Sequence, residues 1–150
     1  MATDDYHYTE CGLDNVYLMD GYKFVDAPGG RQVVISDIDG LHELIGRTIV
    51  EKMKDLSGKE IKFLRHEMLM SQATLAKLLN VSEQAIRRWE NGKTTQVPKP
   101  AEALIRLLYK AHIADNQDIK SSLRKIADLE DEMHRNLVLK NTDHNWRIAA

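Results

Sequence analysis

Residues 71–93 read SQATLAKLLNVSEQAIRRWENGK and carry two apolar stripes at helical spacing, with very little chain between them. Leu75, Leu78 and Leu79 fall on one face of a first helix, and Ile86 and Trp89 on one face of a second. Ser71 and Ser82 each precede a stripe, where a hydroxyl can accept a bond from a backbone N–H left unpaired at a helix start. Asn80 takes the corner, which calls for a residue that tolerates positive φ. Ala76 is small enough for the second helix to cross closely over the first, and Val81 fills the corner. The second helix then turns a row of polar side chains away from the crossing.

This layout is that of a helix-turn-helix, whose second helix enters the major groove of DNA. The segment resembles the phage-repressor and Cro group, the XRE family, through "SQ" at 71–72, "LA..L.VS" across the corner and "I..WENGK" at the end. The resemblance covers residues 58–112. It departs from the family at Asn80, where members usually carry Gly; Asn also enters the left-handed region.

The resemblance implies roles for particular residues. Glu83 and Gln84 occupy the first exposed positions of the recognition helix, which in the family face base edges. Gln84 suits adenine N6 and N7, and Glu83 suits cytosine N4. Arg88, one turn on, suits guanine, and Arg87 points aside toward phosphate. Gln72 resembles a glutamine that contacts phosphate and buttresses the recognition helix. Asn91, Gly92, Lys93 and Thr94 resemble a loop that grips the DNA backbone. Arg65 and Glu90 stand where the family places an ion pair between its first and third helices. The plainer alternative is that Glu83, Gln84, Arg87 and Arg88 are simply a solvated face, with Glu83 holding Arg87 one turn away. Trp89 reads as core.

The chain's charge favours DNA contact. Its net charge of −2 divides into −6 over residues 1–57, +5 over 58–110 and −1 over 111–150. The positive charge lies where the motif lies, as phosphate contact requires. The acidic N-terminal third suits a protein partner or plain solvation.

At 150 residues the chain has room for one modest domain or two small ones. Residues 22–27 and 31–36 are strand-like around Pro28-Gly29-Gly30, which predicts a β-hairpin. A further short strand is expected at Val16–Leu18. Asp39 is expected to cap a helix running to about residue 55, with Leu41, Leu44, Ile45, Thr48, Ile49, Met53 and Leu56 as its stripe. Ser57 and Glu60 fit a capping box. Pro100 fits the first turn of a helix burying Leu104, Leu107 and Leu108. Residues 115–135 predict another helix with Ile119, Leu123, Ile126, Leu129 and Met133 in line, and the alternating tail predicts a strand pair around 141–143. The fold expected is mainly α: a five-helix repressor-like helix-turn-helix domain at 58–112, a β-hairpin-containing segment at 1–57, and an amphipathic helix with a short tail at 113–150.

No apolar run is long enough to span a membrane and no signal-peptide pattern opens the chain, so a cytoplasmic protein is expected. The single cysteine, Cys11, excludes an intrachain disulfide and a four-cysteine zinc site. His7 and Cys11 lie four residues apart, too small a set for zinc, and no motif around Cys11 suggests a nucleophile. Neither catalysis, a metal nor a cofactor is expected.

The N-terminal third before a repressor-like domain resembles antitoxin-type regulators of the MqsA and HigA kind. In the MqsA-like members a zinc module built on two Cys-x-x-Cys pairs holds a toxin; "TECGLDN" offers one cysteine, so the zinc does not carry over. Three functions stay open. The first is a dimeric repressor on a palindromic operator in double-stranded DNA. The second is an antitoxin that also represses its own operon. The third is an interaction adaptor that no longer binds DNA.

Overall fold

The computed structural model describes residues 5–92, 97–115, 117–128 and 137–149. Among them lie six helices and three separate two-stranded sheets. In chain order these are β1 (Tyr6–His7), β2 (Tyr17–Leu18), β3 (Tyr22–Ala27), β4 (Gly30–Ile35), α1 (Ile38–Lys52), α2 (Gly58–Glu67), α3 (Gln72–Leu79), α4 (Glu83–Glu90), α5 (Lys99–Ile113), α6 (Gln117–Ala127), β5 (Leu139–Thr142) and β6 (Asn145–Ile148). Each sheet is an antiparallel pair.

The core forms where α2, α3, α4 and α5 meet. Ile61, Leu64, Leu75, Ile86, Ile105 and Tyr109 are essentially sealed from solvent there. Four helices fall within 58–112, and α1 packs against α2 and α5 from outside that span. Ile49, Val50 and Leu56 belong to the same apolar cluster as the residues of α2 to α5, and so does Leu13 from the N-terminal segment.

Polar groups fasten α1 in place. Arg106 on α5 donates to the carbonyls of Ile49 at 3.0 Å, Val50 at 2.8 Å and Met53 at 2.7 Å, at the C-terminal end of α1 where carbonyls lack helical partners. Glu102, itself buried, accepts from Arg106 at 2.6 Å and from the Leu56 N–H at 2.9 Å. Burial alone would raise the Glu102 pKa, but these hydrogen bonds and the cations Lys99 and Arg106 outweigh it and leave it lowered. Gly46 lets α1 cross close to Tyr109, since a Cβ there would fall 2.1 Å from the phenol oxygen. Neither Arg106 nor Gly46 stands out in the sequence.

The helix boundaries and stripes shift in detail. The cap of α1 is Asp37 and not Asp39: Asp37 sits in the left-handed region at φ 48° and accepts from the Gly40 N–H at 3.2 Å. Asp39 falls in the first turn, where its charge suits the positive end of the helix dipole. On α1 the buried face takes Val50 and leaves Leu44 exposed. On α5 it takes Ile105, Leu108 and Tyr109 and leaves Leu107 exposed, because each of these helices packs against more than one neighbour. The capping box of Ser57 and Glu60 is present, and Pro100 sits in the first turn of α5. The β3–β4 turn is the two residues Pro28-Gly29, with Gly30 already paired to Ala27. The tail turns at Asp143-His144, later than the expected position. Helix α6 ends at Ala127, and Leu129 and Met133 lie outside the described residues.

The N-terminal segment is more built-in than its polar sequence suggests. Strand β1 pairs with β2, and the buried Tyr8 hydroxyl meets His42 Nε2 at 2.8 Å. The other nitrogen of His42 meets Glu67 at 3.2 Å, so one chain of polar contacts joins the segment to α1 and α2.

Helix α2 ends with Leu69 at φ 57°, a left-handed position usually given to Gly. The Met70 N–H bonds back to the Arg65 carbonyl at 3.1 Å, closing the helix end over it. Leu69 is 89% exposed, so its side chain contributes little burial. Leu69→Gly is expected to raise stability by about 0.5–1 kcal/mol, the relief of left-handed strain exceeding the added freedom of the unfolded chain. Urea unfolding measures it, and a lower midpoint would show that the leucine is not strained.

Candidate nucleic-acid interface

Helix α4 divides cleanly into two faces. Ile86, Trp89 and Glu90 point into the protein and are buried, whereas Glu83, Gln84, Arg87 and Arg88 are all exposed. The division follows from the helical period, since 83, 84, 87 and 88 form one stripe. Ser82 starts the helix by accepting from the Ala85 N–H at 3.1 Å. At its end Asn91 caps, and Gly92 follows at φ 69° with its N–H on the Trp89 carbonyl at 3.1 Å.

The turn into α4 has the geometry that its residues favour. Asn80 lies at φ 56°, ψ 46° and ends α3, and the Val81 N–H bonds to the Ala76 carbonyl at 3.0 Å. Ala76 is buried beneath the crossing, and Ser71 caps α3 through the Thr74 N–H at 3.0 Å. Helices α3 and α4 are thereby set across each other with the polar stripe outward.

A buried polar network fixes the inner face. Arg65 Nε donates to Glu90 Oε2 at 2.6 Å, and its Nη2 donates to Oε1 at 2.9 Å. This two-pronged pair is almost fully enclosed. Arg65 Nη1 also donates to the Met70 carbonyl at 2.9 Å. Gln72 Nε2 donates to Glu90 Oε1 at 3.1 Å. Glu90 thus gathers α2, the α2–α3 corner and α3 onto the base of α4. The amide of Gln72 is thus engaged with Glu90 on the inner side of α4.

On the outer face Glu83 pairs with Arg87 at 3.3 Å, one turn apart and both half-exposed. Gln84 and Arg88 carry no ion pair or side-chain hydrogen bond to the described residues. The structure therefore brings Glu83, Gln84, Arg87 and Arg88 onto one face with Asn91 and Gly92 at its end, and gathers Arg65, Gln72 and Glu90 beneath it. Lys93 and Thr94 lie outside the described residues.

Two residues singled out for other chemistry are occupied structurally. His7 stacks on Tyr17 with ring centres 4.5 Å apart and meets the Asp14 carbonyl at 2.8 Å. The Cys11 thiol faces the Tyr8 carbonyl at 3.6 Å, and burial raises its pKa, which disfavours the thiolate. Among the described residues no three His, Cys, Asp or Glu side chains are grouped to hold a metal ion. No helix among them is long and apolar enough to cross a membrane.

Residues 61–108, from the first turn of α2 into α5, match the model of a helix-turn-helix family. Searches of curated proteins and of solved structures found no match to the chain. The matched segment, residues 61–108, is thus similar to a helix-turn-helix, the motif whose second helix enters the major groove of DNA.

Proposed function

We propose that this chain, with its XRE-type helix-turn-helix, is a cytoplasmic, sequence-specific repressor that binds a palindromic operator as a dimer. The observation that carries the reading is the outer face of α4, where Gln84 and Arg88 are exposed and, among the described residues, uncommitted, on a helix held from beneath. Laid in the major groove, α4 offers Arg88 to guanine O6 and N7 and Gln84 to adenine N6 and N7. Glu83, paired with Arg87, acts chiefly to hold that arginine toward a phosphate, and accepts from cytosine N4 only where the pair opens. Gln72, Asn91 and Gly92 flank that face and are assigned to the DNA backbone, as are Lys93 and Thr94 by the family resemblance. Two copies would place their recognition helices one turn of DNA apart, ~34 Å.

The division of labour gives a direct test by fluorescence anisotropy on operator and random duplexes. Arg88→Ala is expected to weaken operator binding about 5- to 150-fold, the loss of a base contact worth ~1–3 kcal/mol, with random DNA much less affected. Arg87→Ala is expected to weaken both duplexes alike and to lower the salt slope by about one. Equal losses on both duplexes for both variants would overturn this assignment. Weak binding with no salt dependence would instead favour the adaptor, since phosphate contact must release counterions.

A second reading, the antitoxin, draws on the N-terminal third. That region is acidic, with net charge −6, and exposes Met19, Phe24 and Val34. Such a surface suits a small basic protein, as a ribonuclease toxin would be. Co-expression with the product of an adjacent small basic reading frame tests it: a complex weakened by Met19→Asp, at an exposed position outside the core, supports the reading, and no complex removes it.

A further inference from the structure

The C-terminal hairpin shows water a face that no described residue of its own chain covers. Strands β5 and β6 pair Leu139 with Ile148 and Asn141 with Trp146. Alternation therefore puts Leu139, Trp146 and Ile148 on one face with Asn141, and Lys140 and Arg147 on the other. Asp143 and His144 both take positive φ, the two-residue turn that matches strand twist, so the register is set and the apolar residues are held to one side. Every residue of both strands is exposed. Trp146 and Ile148 each retain 72% of their surface and Leu139 retains 51%.

A lone two-stranded hairpin is marginal in water and needs an apolar surface against it. Among the described residues of the same chain, none provides one. We propose that a second copy of this chain provides it, the apolar faces of two hairpins packing together across a two-fold axis. The proposal rests on the DNA-binding reading only in that an operator with two half-sites calls for two copies.

Charge placement favours a second copy over another partner. The apolar face carries no charge, so its two-fold mate meets no like charge there. Lys140 and Arg147 point outward on both copies and stay in water. An acidic partner would be drawn to the basic face and would leave the apolar one bare. The area is also of the right size. A buried Trp removes ~150–250 Å² from water. With the aliphatic side chains, including exposed Leu137, each copy would bury on the order of 500 Å², and the pair about 1,000 Å², near the lower bound for a specific interface.

Sedimentation equilibrium of the full chain without DNA tests the proposal. The wild type is expected at about twice the 17.2 kDa of one chain. Trp146→Asp is expected to weaken self-association at least about 30-fold, as loss of a central aromatic anchor does. Lys140→Ser, on the opposite face, is expected to leave association unchanged. Because the hairpin lies outside the core, the thermal unfolding of monomeric Trp146→Asp should match that of the wild type diluted to monomer. A wild type that is monomeric at high micromolar concentration overturns the proposal, as does a Trp146→Asp variant that stays dimeric. A Trp146→Asp monomer that unfolds earlier than the wild-type monomer also overturns it, because the hairpin would then be packing on its own chain. Arg88→Ala should remain a dimer. A chain that dimerises through Trp146 yet ignores DNA would remove the repressor reading and leave this one standing.

Discussion

Glu90→Ala is expected to cost the fold about 3–5 kcal/mol, the loss seen when one partner is removed from a buried ion pair. Most of that cost comes from what remains. Arg65 keeps its charge in a nearly enclosed site, with Nε left without its acceptor and Nη2 left only His66 Nε2 at 3.3 Å. The Gln72 amide loses its acceptor as well. Against a total stability of roughly 5–15 kcal/mol, this is a large share. Urea unfolding followed by the signal of buried Trp89 reads it. Pairing Glu90→Leu with Arg65→Met should recover most of the stability, because apolar side chains of similar volume can replace a buried pair at little cost. The recovery should be incomplete, since Arg65 also holds the Met70 carbonyl at the strained corner after α2. A loss below about 1 kcal/mol for Glu90→Ala would mean that solvent reaches the pair.

The consequences for DNA differ between these variants. The polar network sits on the far side of α4 from Gln84 and Arg88, so its work at the interface is positional. The double variant keeps the outer stripe intact. Any loss of operator affinity in the folded double variant therefore measures how far α4 has shifted on its base. That separates the reading of bases from the aiming of the helix that carries the readers.

How much of this was legible in the sequence depended on the range of the interaction. Caps and turns are local: Ser57, Ser71, Ser82 and Asn80 each act on backbone within a few residues, and each adopts the expected geometry. The outward stripe of α4 follows from helical period alone. The Arg65–Glu90 pair spans 25 positions and came only from resemblance. Contacts with no family pattern behind them stayed invisible. Nothing local marks Arg106 as the group that caps α1, or His42 as the link between Tyr8 and Glu67. The misjudged stripes of α1 and α5 have the same origin. A single 3.6-residue period describes burial against one neighbour, and α5 meets α1, α2, α3 and α6.

Gly58 is the sharpest instance, because in sequence it reads as a breaker between two helices. In the fold it is the first residue of α2, and it lies against the end of α4. A Cβ there would fall 2.1 Å from the Trp89 carbonyl oxygen and 2.9 Å from that of Glu90. Both obstacles are backbone, so no side-chain rotation relieves the clash. Gly58→Ala must push α4 away from α2, while the Arg65–Glu90 pair pulls the same two elements together. Overpacking of this kind typically costs ~1–3 kcal/mol, and opposition from the buried pair places Gly58→Ala at or above the upper end. The slightly better helix propensity of alanine, worth at most ~1 kcal/mol, acts in the other direction and is too small to reverse the sign. Gly58→Val should be worse, because its branched side chain enlarges the same clash. Two measurements distinguish this account from a general weakening of α2. The unfolding midpoint should fall from Gly58 through Ala to Val. Operator affinity of the folded Ala variant should fall as well, although residue 58 lies on α2 and not on the exposed stripe of α4. Unchanged stability in Gly58→Ala would show that α2 and α4 are free to separate, and that the base of the recognition helix is not held as the polar network implies.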